Sequence, residues 1–383
     1  MAKIKMRRLI VISAVNIREG GAAKILDECI DSIRSSDYSR QLKFVLICQP
    51  NLRKNYSNVH CICHYAGRLS WLKRLWIEYV VFWYISKRLK PFGWVSLHDV
   101  TPNVIAKQRM VYCHNPAPFL NPTLRDIISA PDLLIFKYAY SLLYRINVKK
   151  NKRIIVQQIW LGQYFKKFAR DVPILINRPS AGSTMLSNNG IREIVNDQPN
   201  TPSYDFLFPS FPRAFKNFET ICTAVSLLEE ILPSLEFRLL LTIKGDENSY
   251  ARWVHRKFSS SSKIVFLGQL NRNEMAQVYS DANCVLFPSR LETWGLPISE
   301  AIGLKLPLIV ADLPYARETA GKYSNIHFCE TRAPQKWAEA MARQITGSTT
   351  RKSDSHGSNL QSQAAQTEFP EAGWDCIWKI MAQ

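Results

Sequence analysis

Phe287-Pro-Ser-Arg-Leu-Glu-Thr-Trp-Gly-Leu-Pro-Ile-Ser-Glu-Ala301 joins the end of an apolar strand pattern to the start of a helix, with a glycine and a proline at the junction. Proline suits the first helical turn, and glycine lets a ligand come close to the backbone. The N–H groups that open a helix have no helical partner, so such a junction can hold an anion or a hydroxyl. Glu292 and Glu300 flank it eight positions apart, one in the loop and one on the helix, where both carboxylates can face one ligand.

The same strand-then-helix rhythm extends to either side. Downstream of a polar stretch, strands are expected at Asp205–Phe208, Glu236–Ile243, Ile264–Leu267, Cys284–Phe287 and Pro307–Val310. Helices are expected at Ala214–Leu232, Asn271–Asp281 and Leu296–Gly303. Upstream, Leu9–Val15 is a β-branched run, Gly20-Gly21 follows it, and Ala22–Ile33 is amphipathic; further strands are expected at Leu42–Cys48, Trp94–Leu97, Arg109–Cys113, Arg153–Val156 and Val172–Ile176. Alternation of this kind predicts parallel sheets covered on both faces, and here it occurs twice. The expectation is an α/β protein of two Rossmann-like domains facing each other across a cleft, with residues 1–176 as the first and 205–366 as the second. Residues 177–204 form a linker, rich in Ser, Asn, Gly and Pro, and 367–383 a terminal helix that packs back. The polar stretch Ser348–Gln366 reads as a mobile loop.

Charge is unevenly divided along the 383 residues. Residues 1–171 carry 29 Lys/Arg against 10 Asp/Glu, whereas residues 172–383 carry 21 of each. With 46% apolar residues the chain has enough to bury a core, which excludes general disorder. An odd count of nine cysteines without a C-x-x-C pair points to reduced thiols and a cytoplasmic setting. No apolar run reaches the length of a spanning helix, and the basic start before Leu9 reads as the lead into a buried strand rather than a signal peptide. Between Leu69 and Lys90, however, Trp71, Trp76, Tyr79, Phe82 and Trp83 lie among Lys73, Arg74, Lys87, Arg88 and Lys90, a composition that suits either a buried helix or one lying on an anionic membrane surface. A weaker segment of the same kind runs from Leu133 to Arg153. His60-Cys61-Ile62-Cys63-His64 offers four metal ligands, but alternation along a strand sends the cysteines and histidines to opposite sides, so no metal is expected there.

The pattern P-S-x-x-E-x-x-G-L-P-x-x-E-A, followed by Pro307-Leu-Ile-Val310 and Glu318-Thr-Ala-Gly321 and preceded by Phe266-Leu267-Gly268, resembles the retaining glycosyltransferases of family four. These have the GT-B fold. The likeness covers the C-terminal half and is looser before it. It implies that Glu300 bonds the nucleotide ribose, that Glu292 and the backbone at Trp294, Gly295 and Leu296 hold the donor sugar, and that Lys216 binds the donor phosphates. Arg213 stands only three residues before Lys216, closer than the family's usual spacing, and Ser210 takes the place of its Gly-Arg pair. In the N-terminal half the likeness implies that Gly20 and Gly21 form the glycine loop and that His114 lines the cleft near the donor sugar, with His98 and Asp99 as weaker candidates.

Breaking a sugar–diphosphate bond leaves negative charge on the leaving group, which a metal, cations or oriented N–H groups must stabilise. The sequence has no D-x-D, so the expectation is metal-free stabilisation by Lys216, Arg213 and backbone amides. The function expected is transfer of a sugar, with retention, from a GDP- or UDP-linked donor to a lipid-linked oligosaccharide in O-antigen or other surface polysaccharide assembly. The enzyme would sit at the inner face of the cytoplasmic membrane and would not bind nucleic acid. Two alternatives use the same residues differently: a nucleotide-sugar epimerase or glycogen-type synthase on the same fold, and a non-catalytic basic protein that binds membranes or nucleic acid.

Overall fold

The computed structural model describes residues 7–17, 21–35, 38, 41–50, 52, 56, 59–63, 71–119, 122, 132–180, 203–347 and 369–383. The linker and loop expected at Ser180–Ser203 and Ser348–Gln366 fall almost wholly outside them, as do Gly20 and His64. The chain divides into two units. One is made of residues 1–118, 137–179 and 356–383, the other of 119–136 and 180–355.

In the first unit, β1 (Arg8–Ser13), β2 (Leu42–Cys48), β3 (His60–Cys63), β4 (Gly93–Ser96), β5 (Gln108–Cys113), β6 (Arg153–Val156) and β7 (Ile174–Ile176) form one parallel sheet in the order 3-2-1-4-5-6-7. Their interiors are apolar at nearly every position because helices cover both faces. On one face lie α1 (Gly21–Ser35) and the terminal helix, whose Trp374, Ile377, Trp378 and Met381 join Ile10, Ile12, Leu46 and Val95 in a single core. Trp378 stands edge-on to Phe44 at 5.1 Å, stacks on Trp374 at 5.6 Å and donates from Nε1 to Ser32 Oγ at 2.7 Å. The opposite face carries α2, which runs Trp71–Trp76, passes through a π-helical turn at Ile77–Val81 and continues as Phe82–Leu89. Ile77 and Phe82 of α2 bury against Val11, Val45, Ile47 and Trp94. Helix α3 (Asp132–Leu143) is tied to α2 by the Arg74 guanidinium, which donates to Tyr140 Oη.

The second unit repeats the plan. Strands β8 (Tyr204–Phe208), β9 (Phe237–Leu241), β10 (Ile264–Phe266), β11 (Cys284–Phe287), β12 (Leu308–Ala311) and β13 (Ile326–Cys329) form a parallel sheet in the order 10-9-8-11-12-13. Direction reverses between β8 and β11, which pair through Cys284↔Phe206 and Val285↔Leu207. The crevice outside the carboxyl ends at such a reversal is where open α/β sheets receive ligands.

The helix expected over Ala214–Leu232 is broken. Ala214–Lys216 is a separate 3-10 turn, Asn217 is left-handed at φ 65°, and the helix proper is Phe218–Ile231. Asparagine tolerates that backbone, and it is fixed here by its side chain, whose Nδ2 donates to Thr331 O at 2.7 Å and Pro288 O at 3.2 Å while Oδ1 accepts from Thr220 Oγ1 at 2.7 Å. Arg213 and Lys216 therefore sit ahead of the helix, on a turn of their own, rather than within its first turn.

Candidate active site

Two loops leave the carboxyl ends of β8 and β11 and are clamped together. Arg290 donates from its backbone N to Phe215 O at 2.7 Å and from Nη2 to Ala214 O at 3.0 Å. The clamp brings Lys216 to Glu292, and the Lys216 ammonium donates to Glu292 Oε1. Both side chains are largely shielded, at 17% and 15% exposed. Ser289 Oγ lies 2.9 Å from the same carboxylate oxygen. Below them, Tyr315 donates to Ser289 O at 2.6 Å; burial, and then the neighbouring Glu292, push its phenol far above the usual range, so it remains a neutral donor.

The chain then rises through Trp294 into the helix Leu296–Gly303. Trp294 Nε1 donates to Ser299 Oγ at 2.8 Å, and its carbonyl accepts from Thr319 Oγ1. Gly295, which ends the loop, has φ 84° and ψ 63°. A Cβ there would meet Ile298 Cδ1 and Phe287 Cε1 at 3.3 Å, so both backbone and space call for glycine. Glu300, one and a half turns into the helix, accepts from Tyr279 Oη at 2.9 Å. Burial and then Glu300 hold that phenol protonated.

Of the residues expected on this unit, Lys216 and Glu292 are brought into contact, and Trp294, Gly295 and Leu296 continue from them. Glu300 has a partner of its own in Tyr279. Arg213 takes another direction: it is exposed, its guanidinium 5.3 Å from the ring of Phe211. Ser289, Tyr315, Thr319 and Asn217 were not singled out from sequence. Ser289 and Thr319 lie within quoted motifs and carry short hydroxyl side chains, which is the signal that was available.

The first unit has its own reversal, between β1 and β4. His114 follows β5, and its Nδ1 lies 3.5 Å from Asp99 Oδ1. That same oxygen accepts the backbone N–H groups of His114 and Asn115 at 2.7 and 2.8 Å, while Asp99 itself has φ 72°. Gly21, exposed, opens α1 after β1. Deeper, His98 is bonded to Ser13 Oγ at 3.0 Å and lies 3.2 Å from Glu78 Oε1. Glu78, on the π-helical turn, also accepts from Arg74 Nε and Asn16 Nδ2, each at 2.9 Å. Burial alone would raise the Glu78 carboxyl, but His98 and Arg74 together hold it below the usual range. Sequence reading found His98 but not Glu78, the second residue of the π turn Ile77–Val81. His60–Cys63 is strand β3, with Cys61 Sγ donating to backbone carbonyls. Among the described residues no three His, Cys, Asp or Glu gather as metal ligands.

Residues 192–357 match the family model of the group 1 glycosyl transferases. The O-antigen chain mannosyltransferase RfbU of Salmonella typhimurium is 22% identical over 298 residues, which cover 76% of this chain and 75% of that protein. A UDP-N-acetylglucosamine–peptide N-acetylglucosaminyltransferase GtfA subunit from Streptococcus agalactiae is 26% identical over 155 residues, 40% of this chain and 28% of that protein. Among solved structures, HepE of Anabaena in complex with UDP and glucose superimposes with a TM-score of 0.63 at 14% identity, over 98% of each chain. At that identity the likeness speaks for the GT-B fold alone.

Proposed function

We propose that this chain, whose residues 192–357 match the group 1 glycosyl transferases, is a glycosyltransferase that moves a sugar, with retention, from a nucleoside-diphosphate donor to a lipid-linked oligosaccharide of a surface polysaccharide. The observation that carries the donor half is the contact of Lys216 with Glu292 at the reversal point of the second sheet, beside the N-terminus of the helix Leu296–Gly303. Lys216 is the cation for the leaving diphosphate. The backbone at Gly295 and Leu296 supplies oriented N–H character to the same group. Glu292 and Trp294 take the sugar, Glu300 takes the ribose, and Arg213 swings in from its exposed turn as a second cation. In the first unit, Gly20, Gly21 and His114 are the residues that we assign to ligand binding, from the family pattern. The reaction uses no metal, and no side chain serves as a covalent nucleophile: the leaving diphosphate takes the acceptor's proton.

The acceptor half rests on the first unit's surface. Trp76, Val80, Trp83 and Tyr84 of α2 and Tyr138 and Leu142 of α3 are all exposed, and Lys73, Lys87, Arg88 and Lys90 are exposed around them. Aromatic rings with flanking cations suit the headgroup level of an anionic bilayer. No helix among the described residues is long and apolar enough to cross one. The relationship to RfbU, an O-antigen chain enzyme by name, supports the same class of acceptor.

Thermal denaturation with UDP, GDP and their sugars tests the donor half, because a ligand that binds only the folded state raises the midpoint in proportion to its affinity. One nucleotide family is expected to raise it; no shift with either at millimolar concentration would sink the reading. Sedimentation with phosphatidylglycerol vesicles tests the membrane half, and a Trp76→Ser/Trp83→Ser protein that binds as well as the parent would remove it.

A further inference from the structure

Substrates of open α/β sheets enter at the carboxyl ends of the strands, yet much of the first unit's charge lies at the other edge. Lys90 precedes β4, Lys107 and Arg109 lead β5, and Lys152 and Arg153 lead β6. The register Trp94↔Arg109 and Met110↔Arg153 sets these starts side by side, at roughly 5 Å per strand. At the β6–β7 end of this edge is a cavity of about 470 Å³ lined by Lys149, Asn151, Lys152, Arg153, Asp171, Val172 and Pro173.

Its wall is built rather than loose. Asn147 turns left-handed at φ 58° and Val148–Lys150 forms a 3-10 turn anchored by the buried Val148. Asn151, also buried, donates from Nδ2 to Val148 O at 2.9 Å and Thr101 Oγ1 at 2.6 Å. Lys152 N is held on Arg109 O at 2.8 Å and Ile154 N on Pro173 O at 3.0 Å. Three cations thus face one carboxylate, Asp171, and among the described residues none of the three is ion-paired. Nearby Arg109, half-buried and donating from Nε to Ala106 O at 3.3 Å, adds to the same field; burial holds its guanidinium below its ordinary range. A concave site with a surplus of ammonium and guanidinium donors suits a phosphate.

We propose that this cavity binds the headgroup phosphate of an anionic phospholipid, so that the first unit meets the membrane through a specific site as well as a face. The choice of a lipid phosphate over a soluble one rests on the membrane reading above and on continuity. Helices α2 and α3 both precede strands that start at this edge. Their exposed aromatic and aliphatic residues lead to Lys87, Arg88 and Lys90 on one helix and to Arg145, Lys149 and Lys150 after the other.

The test compares two variants of equal charge change, Lys149→Gln/Lys152→Gln/Arg153→Gln in the cavity and Lys87→Gln/Arg88→Gln/Lys90→Gln at the end of α2. Both are sedimented with vesicles of phosphatidylcholine alone and with added phosphatidylglycerol, and titrated with inorganic phosphate. Retained binding of UDP or GDP shows that each variant is folded. The expected result is a loss of phosphatidylglycerol-dependent binding for the cavity variant that is at least tenfold greater than for the α2 variant, with a single Lys152→Gln intermediate. Equal losses would mean diffuse attraction and overturn the site while leaving the membrane reading intact. Loss of phosphate binding with unchanged vesicle binding would assign the cavity to a soluble anion and overturn the lipid. A parent protein that ignores both vesicles and phosphate would overturn both readings.

Discussion

Replacing Lys216 by methionine separates the two roles its ammonium can have. Lys216→Met keeps the length of the side chain and removes the charge, leaving the Glu292 carboxylate with Ser289 Oγ at 2.9 Å. Both partners of the lost pair are only about one-sixth exposed. The carboxylate then pays part of a burial penalty, about 1–3 kcal/mol of stability and toward the lower end because some water reaches it. For a unit of this size that lowers the thermal midpoint by roughly 2–4 °C per kcal/mol. If the ammonium also stabilises the departing diphosphate, the loss of one preorganised donor lowers kcat by a further factor of about 10²–10³, worth about 2.7–4 kcal/mol. The assay is nucleotide release from the UDP- or GDP-sugar that binds, with a membrane extract as acceptor, at a temperature where the variant is still folded. Lys216→Arg, which keeps the charge, should recover part of the rate. A Lys216→Met protein with a lowered midpoint and a wild-type kcat would show that the pair is merely structural, and the assignment of the donor site would fall with it.

Gly295→Ala must hold a left-handed backbone and fit a methyl group 3.3 Å from Ile298 and Phe287, so a loss of about 1–2 kcal/mol is expected in chemical denaturation, together with weakened nucleotide binding. Because the Glu78 carboxyl is held below its ordinary value of about 4.5, its contribution to stability is present above that pH and lost as the pH falls below it. Glu78→Gln should therefore be less stable than the parent at neutral pH and lose less on acidification, as denaturant midpoints measured between pH 7 and 3 would reveal; parallel curves would refute it. Trp378→Ala opens a hole between Phe44 and Trp374 and is expected to cost about 3–5 kcal/mol by thermal or denaturant unfolding.

Most of this fold was legible because buried parallel strands write themselves as short β-branched runs. Leu42–Cys48, Arg153–Val156 and Cys284–Phe287 begin and end where the sequence places them. The helix Leu296–Gly303 was equally plain, announced by Gly295 and Pro297. The break at Asn217 was not, because the apolar period of Phe218–Ile231 continues smoothly backward through Ala214 and Phe215, and only tertiary bonds to Thr331 and Pro288 pin the asparagine left-handed. The E-x7-E spacing identified both carboxylates. It did not reveal that Glu292 answers to Lys216 and Glu300 to Tyr279, since those partners lie 76 and 21 positions away. Glu78 was hidden for the same reason: its partners His98 and Asn16 come from elements distant in sequence.

The terminal helix has a bearing on how the molecule is made. Asn177, at the end of the first sheet, bonds to Ala372 across 195 positions, and Trp374, Trp378 and Met381 close a core begun by Ile10. A ribosome delivers those residues after the whole of the second sheet. The first sheet therefore emerges with one apolar flank uncovered and waits through the synthesis of the second sheet, whose strands follow one another without interruption from Tyr204 to Cys329 and can pair as soon as they appear. Of the two sheets, the one translated earlier is thus the one finished later.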